Sequence, residues 1–184
     1  MTIEYLDLKD AYIYHPDVFK DNRGWFFESY SEKKLPGRVV YVQDNHSYSK
    51  GKGVFRGLHI QLPPFTQSKL IRCTKGEIID VIVDVRESSP TFLKHRKIHL
   101  SADNFNELFV PKGFLHGFLT ISDEVEVQYK VDALYNKESE RSVLFDDKTL
   151  GIDLGWKGDL IMSEKDKNAL TLDAFLKELK GANL

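Results

Sequence analysis

A mainly β protein is what this sequence predicts, a barrel or sandwich of short strands with one helix at the C-terminal end. Three observations lead there. Apolar residues recur at period two through most of the chain, Gly and Pro separate the short runs, and a 3.6-residue period emerges only near the end.

The elements follow in order. A strand is expected over Val39 to Val42. Lys69 to Thr74 reads as another, joined through the turn signal Lys75-Gly76 to a third over Glu77 to Val85, as a hairpin. In that third strand Ile79, Val81, Val83 and Val85 share one face, while Asp80 and Asp84 share the other with Ile78 and Ile82. Ile98 to Leu100 and Leu108 to Val110 are further short strands. Between Glu124 and Val131 the alternation is clean, and it phases Tyr129 with Val125, Val127 and Val131 on the inward face. Leu172, Phe175, Leu176 and Leu179 recur at helical spacing, with Thr171 as N-cap and Gly181 as stop. A shorter helix around Ser31 to Leu35 has less support.

At 184 residues the chain is expected to form a single domain, with a barrel core over about 19–150 and a C-terminal segment and helix over 151–184. A net charge of −2 supplies no electrostatic footprint for nucleic acid, so no nucleic-acid partner is expected. The one cysteine, Cys73, rules out an intramolecular disulfide and reads as a buried thiol. The N-terminus lacks the pattern of a signal peptide, and no apolar run reaches the ~20 residues of a membrane helix. The expectation is a cytoplasmic protein with no membrane contact.

Two segments combine Gly or Pro punctuation with polar side chains: Gly53-Val54-Phe55-Arg56-Gly57-Leu58-His59-Ile60-Gln61, and Pro111-Lys112-Gly113-Phe114-Leu115-His116-Gly117-Phe118. Both have the outline of cupin motifs, which sharpens the fold expectation to a cupin-type β-barrel (jelly roll). Metal-binding cupins carry a second His two positions after the first and then a Glu. Here that position is Gln61, and His59 with His116 alone falls short of the three or four ligands of a bound metal. No metal and no cofactor are therefore expected. A lone strand histidine is commonly a satisfied core residue, but Arg56, Gln61, Gln67 and Lys69 near His59 argue for a ligand site, since unpaired charge in an apolar barrel costs several kcal/mol.

At this point the chain resembles the dTDP-4-dehydrorhamnose 3,5-epimerase family, from about Phe19 to Asp166. The matching stretches are Phe19-Lys20-Asp21-Asn22-Arg23-Gly24 with Phe27-Glu28, Gln43-Asp44-Asn45-His46-Ser47, Arg56 to Gln61, and Gln67-Ser68-Lys69-Leu70. Further along come Asp80-Val81, Asp84-Val85-Arg86, Ser89-Pro90-Thr91, Val110 to Phe118, Tyr129 with Tyr135, and Ser163-Glu164-Lys165-Asp166. Their order and spacing together carry the resemblance.

The resemblance implies epimerisation at C3 and C5 of dTDP-4-dehydro-6-deoxy-D-glucose, giving dTDP-4-dehydro-L-rhamnose in dTDP-L-rhamnose biosynthesis for a cell-surface polysaccharide. The C4 ketone acidifies both neighbouring hydrogens, so the reaction needs a base, an opposite-face acid and a cation near the enolate oxygen. By carry-over, His59 is the base, Tyr129 the acid, Lys69 the cation, Asp166 the carboxylate that orients His59, and His116 a pocket histidine. Arg23 and Arg56 match diphosphate contacts, Gln43, Asn45 and Glu28 match the nucleotide site, and Phe19 and Phe27 match aromatic residues near the base. Family members are homodimers that exchange N-terminal strands, and the same is implied here, although nothing in the sequence itself shows a dimer. Leu154-Gly155-Trp156 departs from the Trp-Pro common in the family, just ahead of Asp166. An epimerase acting at C3 or C5 alone is the nearest rival; a 3,4-ketoisomerase, a metal-dependent cupin enzyme and a non-catalytic sugar-nucleotide binder stand further off.

Overall fold

Thirteen strands and two helices make up residues 1–182, which a computed structural model describes; positions 183–184 of the C-terminal segment lie outside the described residues. The strands are β1 (Thr2–Tyr5), β2 (Tyr12–His15), β3 (Phe19–Asp21), β4 (Gly24–Phe26), β5 (Gln43–Lys50), β6 (Phe55–Gln61), β7 (Lys69–Lys75), β8 (Glu77–Asp84), β9 (His95–Ser101), β10 (Glu107–Val110), β11 (Phe114–Thr120), β12 (Glu124–Val131) and β13 (Glu140–Ser142). The helices are α1 (Glu164–Lys167) and α2 (Leu172–Ala182). A six-stranded sheet ordered β1-β2-β10-β7-β12-β5 faces a five-stranded sheet ordered β13-β6-β11-β8-β9, forming a jelly roll of the cupin type. The first sheet recruits β1 and β2, ahead of residue 19, and β3 with β4 forms a separate ribbon.

Period two predicts the strands that are buried on a face. The run Glu124 to Val131 is β12, and Ile98 to Leu100 and Leu108 to Val110 fall within β9 and β10. Strand β8 is largely apolar on both sides because both sides are covered. Ile78 and Ile82 pack between the sheets with Ile71, Val125 and Val127. Val81, Val83 and Val85 pack outward with Leu172, Phe175 and Leu179 of α2. Each of those three helix side chains is at most 3% exposed, and burial stabilises each by about 1.5–3 kcal/mol.

Four expectations need correction. Lys75-Gly76 does not close a hairpin: β7 pairs with β10 and β12, whereas β8 pairs with β11 and β9. Gly76 turns a corner between the two sheets at φ +72°, where a Cβ would lie 2.3 Å from the Glu124 carbonyl oxygen. Val39 to Val42 is not a strand, and Val40 and Val42 are exposed. Ser31 to Leu35 forms turns closed by a Lys34 N–H to Ser31 O bond, without a helix. At the C-terminal end, Thr171 Oγ1 accepts from the Ala174 N–H as expected of an N-cap, but Gly181 lies inside α2 and does not stop it.

Candidate active site

His59 and His116 meet because two strands approach unusually closely. They are register partners on β6 and β11, and the register shifts immediately beyond, between His116 and Phe118. Beside them Gly57 and Gly117 stand backbone to backbone: a Cβ on Gly57 would lie 2.5 Å from Gly117 Cα. At φ +135° Gly57 also occupies a conformation that other residues avoid.

The segment that departs from the family pattern brings the carboxylate to His59. Gly155 turns the chain at φ +69°, and the Trp156 ring lies over Gly53, 2.9 Å from where a Cβ would sit. Ile161 then pairs with the start of β6, its N–H reaching Gly53 O and its carbonyl taking the Phe55 N–H. Ser163 caps α1 by accepting the Asp166 N–H. That short helix aims Asp166, only 3% exposed, at the His59 ring, where Oδ1 accepts from Nε2 at 2.6 Å. Burial pushes the Asp166 carboxyl up, yet the His59 bond and charge, with Ser163 and the Gly57 backbone, hold it below the usual range.

Across the barrel floor, Lys69 Nζ lies 3.5 Å from His116 Nδ1, and His116 Nε2 lies 2.9 Å from Asp80 Oδ2. Burial pushes Lys69 down to about 8, against the opposing pull of Asp80 and Glu140. Burial also lowers His116, with the Lys69 charge adding to it and Asp80 opposing. Tyr129 faces inward, as its phase in β12 predicts; burial and the nearby Glu140 charge raise its phenol, which keeps its proton. Glu140 accepts from Lys165 Nζ at 2.7 Å and from the Tyr135 hydroxyl at 3.1 Å.

These side chains border two adjoining cavities of about 270 and 550 Å³, which share His59, Lys69, Tyr129 and Glu140. Of the residues proposed from sequence, Arg56, His116 and Asp166 border the larger cavity, and Gln43 and Asn45 the smaller. Arg56 is held beside the cleft by Ser49 Oγ and the Tyr48 carbonyl. Gln61 gives its amide to the Phe65 and Leu134 carbonyls and accepts from Asn136, so it braces loops. Among the described residues, no three His, Cys, Asp or Glu side chains form a group that could hold a metal ion.

Four of the proposed residues lie elsewhere. Phe19 and Arg23 sit on the exposed β3–β4 ribbon, with Arg23 bonded to Asp21 at 2.6 Å. Phe27 packs on Trp25 and Phe105, and Glu28 pairs with Lys34. Glu140 and Lys165 also border the cleft, and Asp80 reaches it through His116, beyond the residues expected from sequence. Asp80 had a signal: it shares the inward phase of Ile78 and Ile82.

The family model described as dTDP-4-dehydrorhamnose 3,5-epimerase matches residues 5–174. The chain belongs to this family. Among its relatives, the dTDP-4-dehydrorhamnose 3,5-epimerase of Shigella flexneri is 47% identical over 91% of this chain and 94% of its own. The crystal structure of the epimerase from Elizabethkingia anophelis superposes with a TM-score of 0.88 at 46% identity, covering 95% of this chain and 97% of that one. A dTDP-6-deoxy-D-glucose-3,5-epimerase from Legionella pneumophila, solved in complex with dTDP-4-keto-L-rhamnose, has a TM-score of 0.88 at 38% identity, covering 95% and 96%. Membership of the epimerase family makes the chain a carbohydrate isomerase by descent, with the barrel and cleft just described.

Proposed function

We propose that this protein inverts C3 and C5 of dTDP-4-dehydro-6-deoxy-D-glucose, giving dTDP-4-dehydro-L-rhamnose for dTDP-L-rhamnose biosynthesis. One observation carries the reading: a carboxylate-bound imidazole, a half-buried lysine and a protonated phenol converge on one cleft. That set is what removal and return of a proton beside a ketone require.

The bond to Asp166 keeps a proton on His59 Nε2 and leaves Nδ1 as the base. His59 takes the hydrogen from C3, the C–H electron pair moves into the ring, and the C4 oxygen gains negative charge. The Lys69 ammonium stabilises that oxygen. Tyr129 returns a proton to the opposite face, inverting the carbon. Solvent takes the proton from His59 and returns one to Tyr129, and with both groups reset the same steps follow at C5.

Arg56 binds the diphosphate, and Gln43 and Asn45 bind the nucleoside at the mouth of the smaller cavity. The protein acts as a homodimer with exchanged N-terminal strands, and Phe19, Arg23, Phe27 and Glu28 serve the partner's cleft. The exposure of Phe19, Trp25 and Phe26, at 66%, 59% and 70%, supports this, because a ribbon carrying such side chains is built to be covered. Among the described residues no helix is long and apolar enough to cross a membrane, and we assign the enzyme to the cytoplasm with its nucleotide-sugar substrate.

Product analysis after incubation with dTDP-4-dehydro-6-deoxy-D-glucose tests the reading. The L-rhamno product is expected. A product inverted at one carbon only would make it a single-site epimerase, and binding without any product would refute the activity.

A further inference from the structure

Asp80 lies on the inward face of β8, fully buried between Ile78 and Ile82. A carboxylate in that setting is costly unless something compensates it. Among the described residues its only side-chain partner is His116 Nε2, at 2.9 Å, and its other oxygen has none. Because a carboxylate oxygen only accepts, the ring proton of neutral His116 resides on Nε2. Nδ1 is then a lone pair, and it faces Lys69 Nζ at 3.5 Å. His116 therefore has no N–H left for a substrate. An ammonium has three, of which this contact uses one.

We infer that Asp80, acting through the His116 ring, is the positioning residue that holds the Lys69 ammonium at the ketone oxygen, and that His116 is an acceptor for Lys69 and not a donor to substrate. This rests on Lys69 being the cation of the proposed epimerase reaction. The chain carboxylate–imidazole–ammonium spans three strands, β8, β11 and β7, so the barrel itself sets the direction of the lysine. The groups around Lys69 are Asp80 from β8, His116 from β11, His59 from β6, Tyr129 from β12 and Glu140 from β13. Burial of Lys69 favours its neutral amine, and the Asp80 and Glu140 charges oppose that. Removing the Asp80 charge should let the lysine lose its proton at lower pH.

Two measurements test this. In the wild type, nitrogen-15 NMR of the imidazoles should find His116 neutral and protonated on Nε2; a proton on Nδ1, or on both nitrogens at neutral pH, overturns the inference. In Asp80→Asn, substrate hydrogen exchange at neutral pH should fall about 10–100-fold, the loss typical of a disrupted orienting carboxylate. Its alkaline limb should move to lower pH while dTDP affinity is kept. An alkaline limb that stays in place, with or without a slower rate, overturns the inference. If wild-type protein shows no exchange, the epimerase reading fails, and the wild-type tautomer still decides the Asp80–His116–Lys69 chain. That spectrum also decides it should Asp80→Asn not fold.

Discussion

Replacing Asp166 by Asn keeps the size of the side chain and removes the charge facing His59. The wild-type contact is a 2.6 Å hydrogen bond from Nε2 to a carboxylate only 3% exposed. Bonds to charged groups contribute about 1.5–3 kcal/mol, twice or more the worth of neutral ones. Imidazole gains its positive charge in the proton-transfer step, so most of that energy is realised in the transition state. At 1.36 kcal/mol per tenfold in rate, turnover should fall about 10- to 150-fold. The loss grows if the amide turns its NH2 towards His59, because the ring must then carry its proton on Nδ1, the nitrogen that acts as base. Asp166→Asn should be assayed by hydrogen exchange at C3 with saturating substrate, alongside dTDP affinity. The expected pattern is a lower kcat with affinity unchanged within about twofold, since dTDP lacks the reacting sugar. A kcat within threefold of wild type would refute the role given to the Asp166–His59 pair.

Tyr129→Phe removes the opposite-face acid and leaves the base, so deuterium should still enter at C3 while inversion drops; equal losses of exchange and inversion would contradict the division of labour. Glu107, on β10, is buried and pushed up to about 8, with Arg72 and Lys130 opposing only in part. Its folded value lies above its unfolded one, so the folded state keeps the proton longer, and stability declines as pH rises from ordinary carboxylate values towards 8. Glu107→Gln should remove that decline, and urea unfolding at pH 5 and pH 8 checks it. Phe175→Ala empties a fully buried site between α2 and the outward face of β8, and should cost about 3–5 kcal/mol in denaturant unfolding.

The strands with a buried face were legible because covering one face imposes period two, as in β12, and covering both makes both largely apolar, as in β8. Where strands go was not legible. Lys75-Gly76 announces a turn, but only packing between the sheets makes it a corner, with β7 and β8 in different layers. Val39 to Val42 has strand composition yet remains irregular, although the Val42 N–H reaches Val131 on β12. Within the site, the inward phase of Tyr129 could be read locally. The His59–Asp166 pair joins residues 107 apart, and only the resemblance suggested it. Asp80, Glu140 and Lys165 have their partners on other strands or helices, which their own stretches of sequence do not show. The ribbon residues Phe19 and Arg23 were expected at the site, yet they border a separate surface of their own chain.

The central claim is that His59 removes hydrogen from both carbons beside the ketone. It is tested most directly by proton NMR of dTDP-4-keto-6-deoxyglucose in deuterated water, with wild-type protein and with His59→Ala. Deuterium at both C3 and C5 with the wild type, and at neither with a variant that still binds dTDP, is the predicted result. Near-normal exchange by His59→Ala would contradict the account.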